Sequence, residues 1–156
     1  GAGKTTTLDI LTSHIPSSSG DVHFRNSRQA TEFMGVCPQD SPLCIKQTVQ
    51  EHLMMIATIK GLSSQLAKEQ VDALLQYLKM EEYRHKYADT LSGGNKRKLL
   101  IAMTLVAGVK VQILDEPTTG IDPLSRRVLW QLCSSVASQK GTSIILATNM
   151  MEEAEM

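Results

Sequence analysis

Apolar positions recur along this chain at two spacings, and turn-forming residues separate them. Short apolar runs at Phe33–Cys37, Val111–Leu114 and Ser143–Thr148 have the length of buried strands, although Gln112 interrupts the second. Between them the spacing becomes helical. Lys4–Ser13 reads as a helix leaving the opening loop, with Leu8 and Leu11 inward, and Ser17–Gly20 is a turn cluster. Thr48 and Glu51 form a capping box, each side chain satisfying the other's free backbone N–H, and the helix they open is predicted to stop near Gly61. Ala67, Val71, Leu74, Leu75 and Leu78 mark one face of a second helix. Ser92 caps a third, bearing Leu99, Leu100, Met103 and Val106. Asp122-Pro123 opens a fourth because proline suits the first helical position, and its expected inward face is Leu124, Val128, Leu129, Leu132 and Val136.

Strands alternating with helices predict an α/β fold. Ser41–Thr90 contains no strand signal, so the expected organisation is a core of about residues 1–40 and 108–156 with a helical subdomain, about 41–107, inserted.

Composition narrows this picture without redirecting it. The 156 residues are 42% hydrophobic, enough for a core of one domain. Sixteen basic residues balance 16 acidic ones, which gives no support for a nucleic-acid surface. Cys37, Cys44 and Cys133 are odd in number and contain no C-x-x-C pair, so a reducing compartment is expected rather than a disulfide framework or a zinc site. No apolar run approaches the ~18 residues of a membrane span, and no signal peptide is visible.

Two stretches carry chemistry. Gly1-Ala2-Gly3-Lys4-Thr5-Thr6 matches the end of G-x-x-x-x-G-K-[ST], so the chain reads as entering that motif part-way, as a fragment would. Glycines let backbone N–H groups close around phosphate oxygens, and the helix start that follows favours negative charge. Lys4 is expected to reach the β- and γ-phosphates of a nucleotide, Thr5 to ligate Mg²⁺, and Thr6 to hold a phosphate oxygen. The strand Val111–Leu114 ends in Asp115-Glu116-Pro117. Asp115 suits the Mg²⁺ shell and Glu116 the attacking water, because phosphoryl transfer needs neutralised charge and a water held in line.

Leu91-Ser92-Gly93-Gly94-Asn95 decides the family. Here the chain resembles the ATP-binding cassette (ABC) family, whose signature is L-S-G-G-Q; two glycines opening a helix again make an anion cradle. Gln39, in Cys37-Pro38-Gln39-Asp40, matches the family's Q-loop, and Gly120-Ile121-Asp122 matches its D-loop. The resemblance implies a P-loop NTPase core with an inserted all-helical signature subdomain, and ATP with Mg²⁺ as ligands. Gln39 would sense Mg²⁺ and contact a membrane domain. Ser92, Gly93 and Gly94 would meet the γ-phosphate of ATP bound to a second cassette, and Asp122 would touch that partner. Asn95-Lys96-Arg97-Lys98-Leu99, Thr48-Val49-Gln50-Glu51-His52-Leu53 and Asp122-Pro123-Leu124-Ser125-Arg126-Arg127-Val128-Leu129-Trp130 look most like the A subfamily of eukaryotic lipid transporters. That implies transmembrane domains on the same long chain and a place on the cytosolic face of a membrane. For Lys96-Arg97-Lys98 themselves, the expectation is a solvated helix face.

One departure matters. The family places a histidine after the last core strand, in a T-H-x-M-[DE]-E-A pattern. Thr148-Asn149-Met150-Met151-Glu152-Glu153-Ala154 puts Asn149 there. Asparagine donates a neutral amide hydrogen bond but is shorter and cannot become cationic. A ~10²-fold loss of hydrolysis is the scale expected for losing one preorganised donor. Two alternatives therefore stand beside an ATP-hydrolysing motor: a regulatory half-site that binds ATP without turning it over, and a soluble ABC-type ATPase. The short span from Lys4 to Ser92, without sustained heptads, argues against the chromosome-maintenance version of the last.

Overall fold

The computed structural model describes residues 2–23, 34–40, 42–106 and 108–154, with 139 and 140 described by backbone alone. Gly1, Phe33 and Ser41, used in the expectations above, lie outside this set. In chain order the elements are α1 (Lys4–Leu11), β1 (Met34–Cys37), α2 (Val49–Ile59), α3 (Ser64–Tyr77), α4 (Gly93–Leu105), β2 (Val111–Asp115), α5 (Pro123–Lys140), β3 (Ser143–Ala147) and α6 (Met151–Ala154), with two 3-10 turns before α4.

The helix boundaries follow local chemistry. The Thr48–Glu51 capping box is present in both directions, and Gly61 (φ 86°) takes the left-handed turn that ends α2. Ser63 caps α3, and Ser92 caps α4 by accepting from the Asn95 amide. The Asp122 carboxylate caps α5 by accepting from the Ser125 amide at 3.0 Å, with Pro123 at the first helical position. α1 stops at Leu11, short of Ser13, which adopts φ 62°.

The strands form one parallel sheet in the order β1-β2-β3, with Cys37 opposite Leu114 and Leu114 opposite Leu146. Parallel strands need cover on both faces, and both have it. Leu8 of α1 packs with Met34, Ile113 and Ala147 on one side. Leu114, Leu129, Leu132 and Val136 join the buried residues of α2, α3 and α4 on the other. Gly35 lets α4 approach β1 closely: a Cβ there would fall 2.7 Å from the Thr104 carbonyl oxygen. Because all three strands run the same way, the turns after β1, β2 and β3 emerge together at one edge of the sheet.

Two expectations fail. Leu124 is 76% exposed, because it lies in the first turn of α5, before the helix passes over the core. Arg97 is not part of a solvated face; it is 4% exposed, while Lys96 and Lys98 stay half-buried. The interruption at Gln112 has a structural counterpart. Gln112 is fully buried in the central strand, and neither its amide nitrogen nor its oxygen has a partner among the described residues.

Candidate phosphate-binding site

The site forms where the start of α1 meets the C-terminal ends of β1 and β2. Gly3 adopts φ 77°, which a side chain would resist, and turns the loop so that α1 begins directly behind it. No side chain caps α1, so its first amides stay available. Thr7 closes the turn from inside, with its amide and its hydroxyl both donating to the Gly3 carbonyl, at 2.9 and 3.0 Å.

β2 carries Asp115 to this loop from more than a hundred residues away. The Thr5 hydroxyl donates to the Asp115 carboxylate at 3.0 Å, and Asp115 is buried. An open pocket of about 400 Å³ lies in front of this contact, lined by Ala2, Gly3, Lys4, Thr5, Thr6, Gln39 and Glu116. Most residues expected to handle phosphate and water therefore share one concavity. Glu116 holds a left-handed backbone (φ 45°), rare for a residue with a side chain. It is pinned there by its amide, which donates to the Ala147 carbonyl at 2.7 Å and ties the end of β2 to β3.

The donor chemistry suits a magnesium ion shared with phosphates. Thr5 and Asp115 offer adjacent hard oxygens, and Mg²⁺ takes one or two protein oxygens while keeping water and phosphate ligands. Among the described residues, no group of three or more His, Cys, Asp or Glu could hold a metal without such help.

The remaining expected residues lie elsewhere. Ser92 and Gly93 are exposed at the start of α4, and nothing stands within 4 Å of where a Gly93 Cβ would be. Gly94 sits near the D-loop, its would-be Cβ 3.5 Å from the Gly120 oxygen. Asp122 is exposed and engaged as the cap of α5. Asn149, exposed beyond the end of β3, does not line the pocket.

A family model described as ABC transporter matches residues 1–119. The chain belongs to the ABC transporter family. It is a nucleotide-binding cassette, and its relatives place it closest in character to the A subfamily. It is 42% identical to the phospholipid-transporting ATPase ABCA3 of Rattus norvegicus and 42% to the retinal-specific phospholipid-transporting ATPase ABCA4 of Homo sapiens, over its whole length. ATP-binding cassette sub-family A member 2 of Homo sapiens follows at 38%. The chain spans only 7 to 9% of these relatives. Among solved structures, an ATP-binding subunit of an ABC transporter superposes with a TM-score of 0.89 at 26% identity, covering 99% of this chain and 66% of that one. A dimeric cassette in a post-hydrolysis state, bound to ADP and Pi, shares the fold at a TM-score of 0.87 and 20% identity, covering 97% and 72%.

Sequence reasoning missed Arg97 and the pair Thr118–Glu153. The Thr118 hydroxyl donates to the buried Glu153 carboxylate, joining the turn after β2 to α6, just past Asn149. Neither signal is local, since the partners lie 18 or more residues apart.

Proposed function

We propose that this cassette binds Mg·ATP in the pocket between Gly3 and Glu116 and works as one of the two cassettes of an ATP-driven membrane transporter. The single observation that carries the reading is the Thr5–Asp115 contact at 3.0 Å, facing a pocket that also holds Lys4, Gln39 and Glu116. In this reading the amides of the opening loop and the Lys4 ammonium cradle the phosphates, with Thr6 on a phosphate oxygen. Thr5 and Asp115 would hold Mg²⁺, with Gln39 beside them, and the ion would supply charge neutralisation for phosphoryl transfer. Glu116 orients and polarises the attacking water.

The signature loop at Ser92, Gly93 and Gly94 serves a nucleotide held by a second cassette, and Asp122 borders that partner. The A-subfamily relatives favour transmembrane domains on the same long chain, a lipid cargo and a position on the cytosolic face of a membrane. Every helix and 3-10 turn assigned between Val49 and Leu105 interrupts the strand order, with no strand among the described residues of that span, which supports reading about 41–107 as the inserted subdomain and about 1–40 with 108–156 as the RecA-like core.

One observation favours a second reading, a regulatory half-site that holds ATP with little turnover. Asn149 occupies the place of the family histidine and offers a neutral donor. Both readings predict tight Mg·ATP binding, and turnover separates them. In the full-length protein, Asn149→His is expected to raise hydrolysis at this site about 10²-fold with nucleotide affinity unchanged. Equal turnover of wild type and Asn149→His sinks the half-site reading. Absence of Mg·ATP binding to the wild type sinks both.

A further inference from the structure

A buried guanidinium sits behind the pocket and has no part in the phosphate-loop, Q-loop, signature or D-loop roles. Arg97 has five N–H donors, and all five are used. Its Nε donates to the Pro117 carbonyl at 2.9 Å. One terminal nitrogen donates to the Pro38 and Gln39 carbonyls, at 2.6 and 3.0 Å. The other donates to the carbonyls of Asp115 and, at 2.8 Å, Glu116. Every acceptor is backbone. Among the described residues, Arg97 makes no ion pair.

The geometry is informative because of what it joins. The acceptors belong to two turns, the one after β1 that presents Gln39 and the one after β2 that presents Glu116. The donor stands on α4, one helical turn from Gly93, so the helix that carries the signature also carries the strap. A planar fork fixes direction as well as distance, which a flexible ammonium does not. An exposed salt bridge could slide; a desolvated guanidinium with every donor committed cannot move relative to the two turns without orphaning buried polar groups. Arg97 therefore ties the two turns to the start of α4.

We propose that Arg97 is a positioning residue that makes the signature loop and the Gln39 and Glu116 turns a single rigid unit, so that nucleotide meeting the signature is felt at this chain's own phosphate pocket. The inference rests on the two-cassette reading above. Coupling of this kind is reciprocal, so occupancy of the pocket also orders the signature.

The test uses the full-length protein with Mg and a non-hydrolysable ATP analogue, read by amide hydrogen exchange. A Lys4→Ala background, with the analogue held below that weakened pocket's Kd and above that of the second cassette, keeps this chain's pocket largely empty, so the analogue reaches the signature from the second cassette. With Arg97 present, residues 92–96 gain protection, and the turns at 39–40 and 115–119 gain it with them, by the about 5- to 150-fold of an ordinary coupling. With Arg97→Lys added, protection at 92–96 persists and protection at the two turns disappears.

Protection of the turns that survives Arg97→Lys overturns the inference. No protection at 92–96 in the Lys4→Ala protein overturns the two-cassette reading instead, and this inference with it. Exchange in α3 reports whether each variant is folded; if Arg97→Lys loses it, Arg97→Gln takes its place. Loss of α3 protection in both variants makes Arg97 a folding residue and also overturns the proposal.

Discussion

Among the described residues, glycines open the helices α1 and α4, and the two starts are built differently. At α1, Gly3 turns left-handed, no side chain caps the helix, and Asp115 arrives from β2 to close the site. At α4, Ser92 caps the helix in the ordinary way, and Gly93 faces open space. The first start keeps its amides free and gathers chemistry around them within one chain. The second spends one amide on its own cap and gathers no side-chain chemistry in front of it; its chemistry lies behind, in Arg97. A helix start alone does not make a site. The distinction lies in what other elements bring to it.

The largest effect that would break this contrast is expected at Arg97. Arg97→Met keeps the length but removes the donors to the buried Pro117 and Asp115 carbonyls and to three partly buried ones, and should destabilise by about 2–6 kcal/mol, at about 1–3 for each buried acceptor left unpaired. Chemical denaturation measures it; a loss below about 1 kcal/mol, the surface range, would make the strap decorative. Next comes Lys4→Ala. Losing one charged hydrogen-bonding partner, worth about 1.5–3 kcal/mol, should weaken Mg·ATP binding by one to two decades and leave the unfolding midpoint nearly unchanged. Calorimetry and a thermal melt on the same sample report both halves. If affinity holds, the first start is not the phosphate site.

Gln112→Leu should stabilise by about 1–3 kcal/mol, since it replaces an unpartnered buried amide by an apolar group of similar size. Loss of stability there would mean that the strand carrying Asp115 needs the amide. Ser92→Ala should cost only about 1 kcal/mol of stability in chemical denaturation, a typical cap. The smallest expected difference is chemical. Burial pushes the Cys37 and Cys133 thiols up to about 11, so both are protonated near neutrality and alkylate slowly, whereas exposed Cys44 reacts first. Reactivity of buried Cys37 and half-buried Cys133 should rise only as pH climbs toward that value. Mass spectrometry of brief alkylation at neutral pH orders the three.

What was legible in the sequence was local. The capping box at Thr48, the cap at Ser92, the helix start at Asp122-Pro123, the stop at Gly61 and the strand ending in Asp115 each depend on neighbours within a few residues, and all five appear. The convergence of Thr5 on Asp115 was legible because the two motifs fix a shared ligand between them. Leu124 shows a limit of periodicity: a spacing rule gives the face but not where along the helix the core begins. Arg97 shows a deeper one. Its partners are carbonyls, which every residue possesses, so nothing in the sequence marks them, and its two lysine neighbours favoured a solvent reading. Gln112 was visible as an oddity, but its complete burial in the central strand without a partner was not.

The twisted backbone at Glu116 has a consequence for how this chain tolerates change. A side-chain-bearing residue held at φ 45° is strained by roughly 1–2 kcal/mol, a strain glycine would not feel. Glu116→Gly would thus combine relief of strain with loss of the carboxylate. Were selection on hydrolysis to lapse, drift away from glutamate would meet little resistance from the fold, and the identity of residue 116 in close relatives would report whether the cassette still turns over nucleotide.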